Sequence, residues 1–75
     1  MWTAEYENDT IKVENKASTV KLFVNDEVQD IYFGMIGSPR LTGKLSNGKD
    51  VKVVIGGDLK MHCAIFVDNK LILED

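Results

Sequence analysis

Cysteine is nearly missing from this chain. Cys63 stands alone, so no disulfide can form within it, and small secreted domains with thin cores usually need such bridges. Histidine is equally scarce. With His62 as its only member, a zinc site of convergent Cys and His ligands lacks donors, and no EF-hand loop spacing supplies a carboxylate alternative. Proline occurs once, at Pro39, and no Pro/Ser-rich or low-complexity tract marks a linker. No apolar run approaches the ~18 residues of a membrane-spanning helix. Met1-Trp2-Thr3-Ala4-Glu5 lacks the basic stretch and following apolar stretch of a secretory signal. The expectation is a cytoplasmic protein with no membrane segment, no metal and no cofactor.

The chain does hold an ordinary globular mixture: 75 residues, 44% hydrophobic and 28% charged. That length fits one domain, 1–75, with a thin core, because folding at this size hides only ~60% of the unfolded chain's surface. Net charge is −3, a poor match for nucleic acid, whose affinity comes from clustered Lys and Arg. The charge is uneven. Residues 40–60 hold five cations and two carboxylates, whereas residues 1–35 hold three cations and seven carboxylates. Most of these read as solvated strand faces, with electrostatic self-association or an anionic partner as the other possibility.

No stretch keeps a helical period. Short alternating runs rich in β-branched and aromatic residues recur between Asn, Asp and Gly pairs, the pattern of strands and hairpins. Four hairpins are expected. The first turns at Asn8-Asp9, pairing Tyr6 with Ile11, Ala4 with Val13 and Glu5 with Lys12. The second turns at Asn25-Asp26, pairing Phe23 with Val28 and Lys21 with Asp30, with Val20, Leu22 and Val24 on the opposite face. In the third, a two-residue Asn47-Gly48 turn would oppose Lys44 to Val51 and scramble the faces. A three-residue loop, Ser46-Asn47-Gly48, pairs Leu41 with Val53, Gly43 with Val51 and Lys44 with Asp50, and requires a left-handed Gly48. The fourth turns at Asp68-Asn69, with Met61, Cys63, Ile65 and Val67 on one face and His62, Ala64 and Phe66 on the other. Both faces are largely apolar, as in a central strand or a second packing surface. The expected fold is all-β: a compact antiparallel sandwich or partly open barrel of about seven to eight short strands, with little or no helix.

The second and fourth hairpins resemble one another. Leu22-Phe23-Val24-Asn25-Asp26-Glu27-Val28 matches Ile65-Phe66-Val67-Asp68-Asn69-Lys70-Leu71 in pattern, 43 residues apart. An internal duplication would explain this, but two hairpins meeting the same steric demand is the simpler reading. The segment 20–72, above all Phe66-Val67-Asp68-Asn69-Lys70-Leu71-Ile72, resembles small uncharacterised bacterial all-β proteins. With Leu41-Thr42-Gly43-Lys44 between the hairpins, it is more distantly similar to the β-sandwich of Fas apoptotic inhibitory molecules. That resemblance implies a non-enzymatic module acting through protein contacts, and transfers no site residue.

Candidate chemistry is sparse. His62 and Cys63 are adjacent on a strand, so their side chains point to opposite faces and cannot form a nucleophile–base pair. Cys63 reads as a small buried hydrophobe and His62 as a half-exposed strand residue. Gly34-Met35-Ile36-Gly37 and Gly56-Gly57-Asp58 lack the flanking helices of nucleic-acid or phosphate loops and read as turns. No catalytic residue is expected. The expected role is a non-enzymatic interaction or structural module with an unidentified protein partner, or self-association. Met35, Ile36 and Arg40 are the contact candidates, since two large apolar residues in a loop either plug the core or face a partner. The alternative is a binder of single-stranded nucleic acid or a small anionic ligand through Arg40, Lys44, Lys52 and Lys60. Its aromatics would be Phe23, Tyr32, Phe33 and Phe66, but the acidic second hairpin disfavours it.

Overall fold

The computed structural model describes residues 1–16, 18–34, 38–56 and 61–75. Eight strands follow in order: β1 (Trp2–Tyr6), β2 (Asp9–Lys16), β3 (Thr19–Val24), β4 (Glu27–Phe33), β5 (Arg40–Lys44), β6 (Asp50–Gly56), β7 (His62–Val67) and β8 (Lys70–Glu74). They form two four-stranded antiparallel meanders, β1-β2-β3-β4 and β5-β6-β7-β8, with no helix among the described residues. Alternation along each strand sets its faces. In β6, Val51, Val53 and Ile55 are buried and Lys52 is exposed. In β3, Val20, Leu22 and Val24 are buried. The inward sets meet in one core whose best-buried members include Ile11, Leu22, Leu41, Ile55 and Ile65. Burying each such aliphatic side chain contributes ~1.5–3 kcal/mol.

The three-residue loop of the third hairpin is present. Gly48 has φ 87°, and the pairs Leu41↔Val53, Gly43↔Val51 and Lys44↔Asp50 are those expected. The loop closes with Gly48 N–H donating to the Leu45 carbonyl at 2.9 Å. Asn25-Asp26 and Asp68-Asn69 turn with both residues at positive φ (52° and 68°, 49° and 65°), as a two-residue type I′ hairpin requires.

Two expected registers are corrected. The first hairpin turns at Glu7-Asn8, so Ala4 pairs with Ile11 and Trp2 with Val13. A two-residue slip leaves every side chain on the same face, so alternation could not detect it. What distinguishes the registers is Asp9, which enters β2 as a buried residue. In the second hairpin Phe23↔Val28 holds, but Lys21 pairs with Ile31, not Asp30, because Gln29 bulges out of the ladder. Gly56, expected in a turn, ends β6 opposite His62.

The two meanders correspond in detail. Ile72 leaves the β7–β8 ladder at the place where Gln29 leaves β3–β4. Asn25 N–H bonds to the Thr10 carbonyl and Asp68 N–H to the Asp50 carbonyl, both at 2.9 Å. The Asn25 and Asp68 side chains accept in return from Thr10 N–H and Asp50 N–H, at 2.9 and 3.3 Å. The likeness seen in two hairpins therefore spans both halves of the molecule.

Candidate functional site

Paired residues of antiparallel strands share a face, so the registers determine which candidates meet. On the outer face of β5 and β6, Thr42 pairs with Lys52, with Arg40 and Lys44 two positions away on either side. Arg40, Lys44 and Lys52 are thus neighbours on one exposed face, and Lys52 is also opposite Phe66 of β7. The cations are not alone there. Lys44 donates to Asp50 and forms an ion pair with it. That bond, its charge and the nearby Lys52 hold the Asp50 carboxyl below its ordinary range. A cleft of about 280 Å³ beside them is lined by Thr42, Gly43, Asp50, Val51, Lys52 and Asn69. Lys60, Met35 and Ile36 lie outside the described residues.

A second surface was not singled out from sequence. On β4, Val28, Ile31 and Phe33 are 48%, 38% and 74% exposed. Their partners on β3 are Phe23, Lys21 and Thr19, so all three lie on one outer face. The Gln29 bulge brings this about. Simple alternation would set Val28 and Ile31 on opposite faces, and one extra residue reunites them. Tyr32, between Ile31 and Phe33, packs against the core instead. Only the position of the bulge would have disclosed the stripe.

The one buried polar side chain among the described residues is Asp9, also missed from sequence, where it read as a turn residue. Its carboxylate accepts from Asn25 Nδ2 at 2.7 Å and from Ser46 Oγ at 2.9 and 3.0 Å. These bonds join β2, the β3–β4 turn and the β5–β6 loop at one end of the sandwich. They hold the Asp9 carboxyl below its ordinary value, Asn25 contributing most. Nearby, Lys49 lies 5.2 Å over the Tyr6 ring and 3.5 Å from Glu7. Its hydrogen bond to Tyr6, with the Glu7 charge, raises its pKa. Both clusters are fully partnered and pin turns together.

Cys63 is buried, and desolvation, reinforced by the Asp75 charge, pushes its thiol up to about 11. The adjacent His62 is exposed on the other face. Met61, expected beside Cys63, is 47% exposed, its sulfur accepting from Asn15 Nδ2 at 2.8 Å. Among the described residues no three His, Cys, Asp or Glu side chains gather as metal ligands, and no helix is long and apolar enough to cross a membrane. No protein-family model, no curated protein and no solved structure matches this chain.

Proposed function

We propose that this domain is a non-enzymatic protein-contact module of the cytoplasm that presents the outer face of β4 to its partner. The supporting observation is the concentration of exposed apolar side chains. Of the six large hydrophobics exposed among the described residues, Val28, Ile31 and Phe33 share one strand and one face. Scattered apolar residues need no explanation, but a contiguous stripe is characteristic of interaction surfaces. Met35, Ile36 and Arg40 follow the stripe in the chain. The hairpin likeness to Fas apoptotic inhibitory molecules, which act through protein contacts, agrees with this reading. So does a single thiol that lies buried in the core.

The test is a photo-crosslinking residue at position 33, compared with one at position 52, in native lysate. Adducts specific to position 33 are expected. They should be lost on Val28→Ser with Ile31→Ser, which remove side chains only partly covered in the monomer and should cost about 1–2 kcal/mol of stability together, leaving the domain folded. Equal labelling at both positions, or none at 33, overturns the reading.

A second reading has its own support in the shared face of Arg40, Lys44 and Lys52 beside Phe66. There the domain would hold single-stranded nucleic acid or a small anion, with Lys60 added. The weakness is Asp50, which already occupies Lys44. Labelled oligothymidine at low salt, where phosphate contacts are strongest, decides it. Absence of binding eliminates the nucleic-acid arm of this reading and leaves the first untouched.

A further inference from the structure

An exposed strand edge offers unpaired N–H and C=O groups to any extended chain, so folded proteins guard their edges with Lys, Pro, bulges or cover. Three of the four edges here are guarded. β4 carries the Gln29 bulge, and from it Gln29 Oε1 accepts from Lys44 N–H at 3.3 Å and Asp30 Oδ2 from Thr42 N–H at 2.9 Å, so β4 covers β5. β8 carries the Ile72 bulge and begins with Lys70. β1, Trp2-Thr3-Ala4-Glu5-Tyr6, has no Lys, no Pro and no bulge; its only ladder partner is β2, and β8 touches it without pairing to it.

The direction of its free groups follows from the register. Tyr6↔Asp9 closes a two-residue turn. In an antiparallel ladder Tyr6, Ala4 and Trp2 then direct their backbone groups to β2, and Thr3 and Glu5 direct theirs outward. Thr42 and Lys44 hold the corresponding places on β5, where side chains of β4 meet their N–H groups. The β8 residues corresponding to Gln29 and Asp30 are Ile72 and Leu73, which pack on the core and have no acceptor to give.

We propose that the β1 edge takes β1 of a second copy of this chain, antiparallel and centred on Ala4, joining two four-stranded sheets into one. The strand is complementary to itself in this register. Thr3 of each copy faces Glu5 of the other, and these are the residues with outward backbone groups, so each pair exchanges two hydrogen bonds. Trp2 faces Tyr6 of the second copy on the core side, an aromatic cross-strand pair at each end. Charge selects the same alignment. Centring on Glu5 would oppose two carboxylates. Centring on Ala4 sets each Glu5 in the row of the other copy's Thr3 and Lys12, which are themselves paired. This association uses neither the β4 stripe nor the basic face.

Sedimentation equilibrium of the whole chain from micromolar to millimolar concentration tests it. Wild type is expected to dimerise. Thr3→Pro removes an N–H that points away from β2, so melting of the dilute protein should hold while the dimer is lost. Thr3→Lys puts a cation opposite Glu5 of the second copy twice and should tighten the dissociation constant roughly two- to thirty-fold. Phe33→Ser, which tests the β4 reading, should leave association unchanged. A wild type that stays monomeric overturns the proposal. So does a folded Thr3→Pro that dimerises normally. Should Thr3→Pro fail to fold, an unchanged or weaker dimer with Thr3→Lys overturns it.

Discussion

On one side of the sandwich β4 leans on β5; on the other, β8 leans on β1. The strands correspond pair by pair, yet the closures differ. At the first seam the bulge frees Gln29, and with Asp30 it bonds to the backbone of β5. At the second, the same bulge presents Ile72 and Leu73, which add apolar surface to the core. The first seam satisfies an edge; the second leaves one open. Spacing follows chemistry. A Cβ on Gly43 would lie 2.9 Å from Gln29 Cβ and 3.2 Å from Leu22 Cδ2, so the polar seam closes only over glycine. The corresponding residue of β1 is Ala4, whose methyl group fits with 8% exposure.

The largest effect expected from breaking this contrast is at Gly43. Gly43→Val should cost about 3 kcal/mol through overpacking. For a domain of this size that lowers the melting temperature by roughly 12–24 °C. Ala4→Val, at the looser seam, should cost about 1 kcal/mol. Equal losses in thermal melts would show that the seams are equally tight.

Why the sequence disclosed one part of this and not another can be argued from the same residues. Faces were legible because alternation is a local property: Val51, Val53 and Ile55, or Cys63, Ile65 and Val67, go inward whatever they pair with. The Gly48 loop was legible because two candidate turns implied opposite faces and only one left them apolar. The Glu7-Asn8 turn was not, since a two-residue slip changes partners without changing faces. Nor were the bulges, because an extra residue such as Gln29 or Ile72 is set by what lies across the seam. The β4 stripe and the burial of Asp9 depend on that geometry, and no local pattern announces either. Arg40, Lys44 and Lys52 sharing a face did follow, because the third register was right.

A second difference between the halves is electrostatic and of intermediate size. Asp9, the first residue of β2, and Lys49, immediately before β6, hold corresponding places. Asp9 is buried against neutral partners, whereas Lys49 forms an ion pair with Glu7 at the surface, which salt should screen. Because the folded Asp9 carboxyl lies below its ordinary 3.8, it binds fewer protons folded than unfolded near that pH. Its stabilisation is therefore full above 3.8 and is lost as pH falls from there through the lower folded value. Asp9→Asn should reduce stability at neutral pH and flatten the acid limb of a melting-temperature profile. Lys49→Gln should leave that limb as it is. An acid limb unchanged by Asp9→Asn would show that the buried carboxylate does not set the acid response.

The smallest expected change in stability, and the sharpest test of the contrast, comes from giving the open seam the chemistry of the closed one. Ile72 corresponds to Gln29, and Glu5 to Lys44, whose N–H Gln29 accepts at 3.3 Å. Ile72→Gln should therefore bring an amide oxygen to the Glu5 N–H. Losing apolar packing costs about 1 kcal/mol and the new hydrogen bond contributes about as much, so melting should shift by only a few degrees. Local changes should be larger. Hydrogen exchange at the Glu5 amide, expected to be fast in the wild-type monomer, should slow toward that of Lys44, and self-association through β1 should weaken several-fold because one of its donors is engaged. If exchange at Glu5 does not slow although the protein folds, then β8 stands too far from β1 for any side chain to cap it. The two seams would then differ in spacing before they differ in chemistry, and Gly43, rather than Gln29 and Asp30, would be the residue that sets them apart.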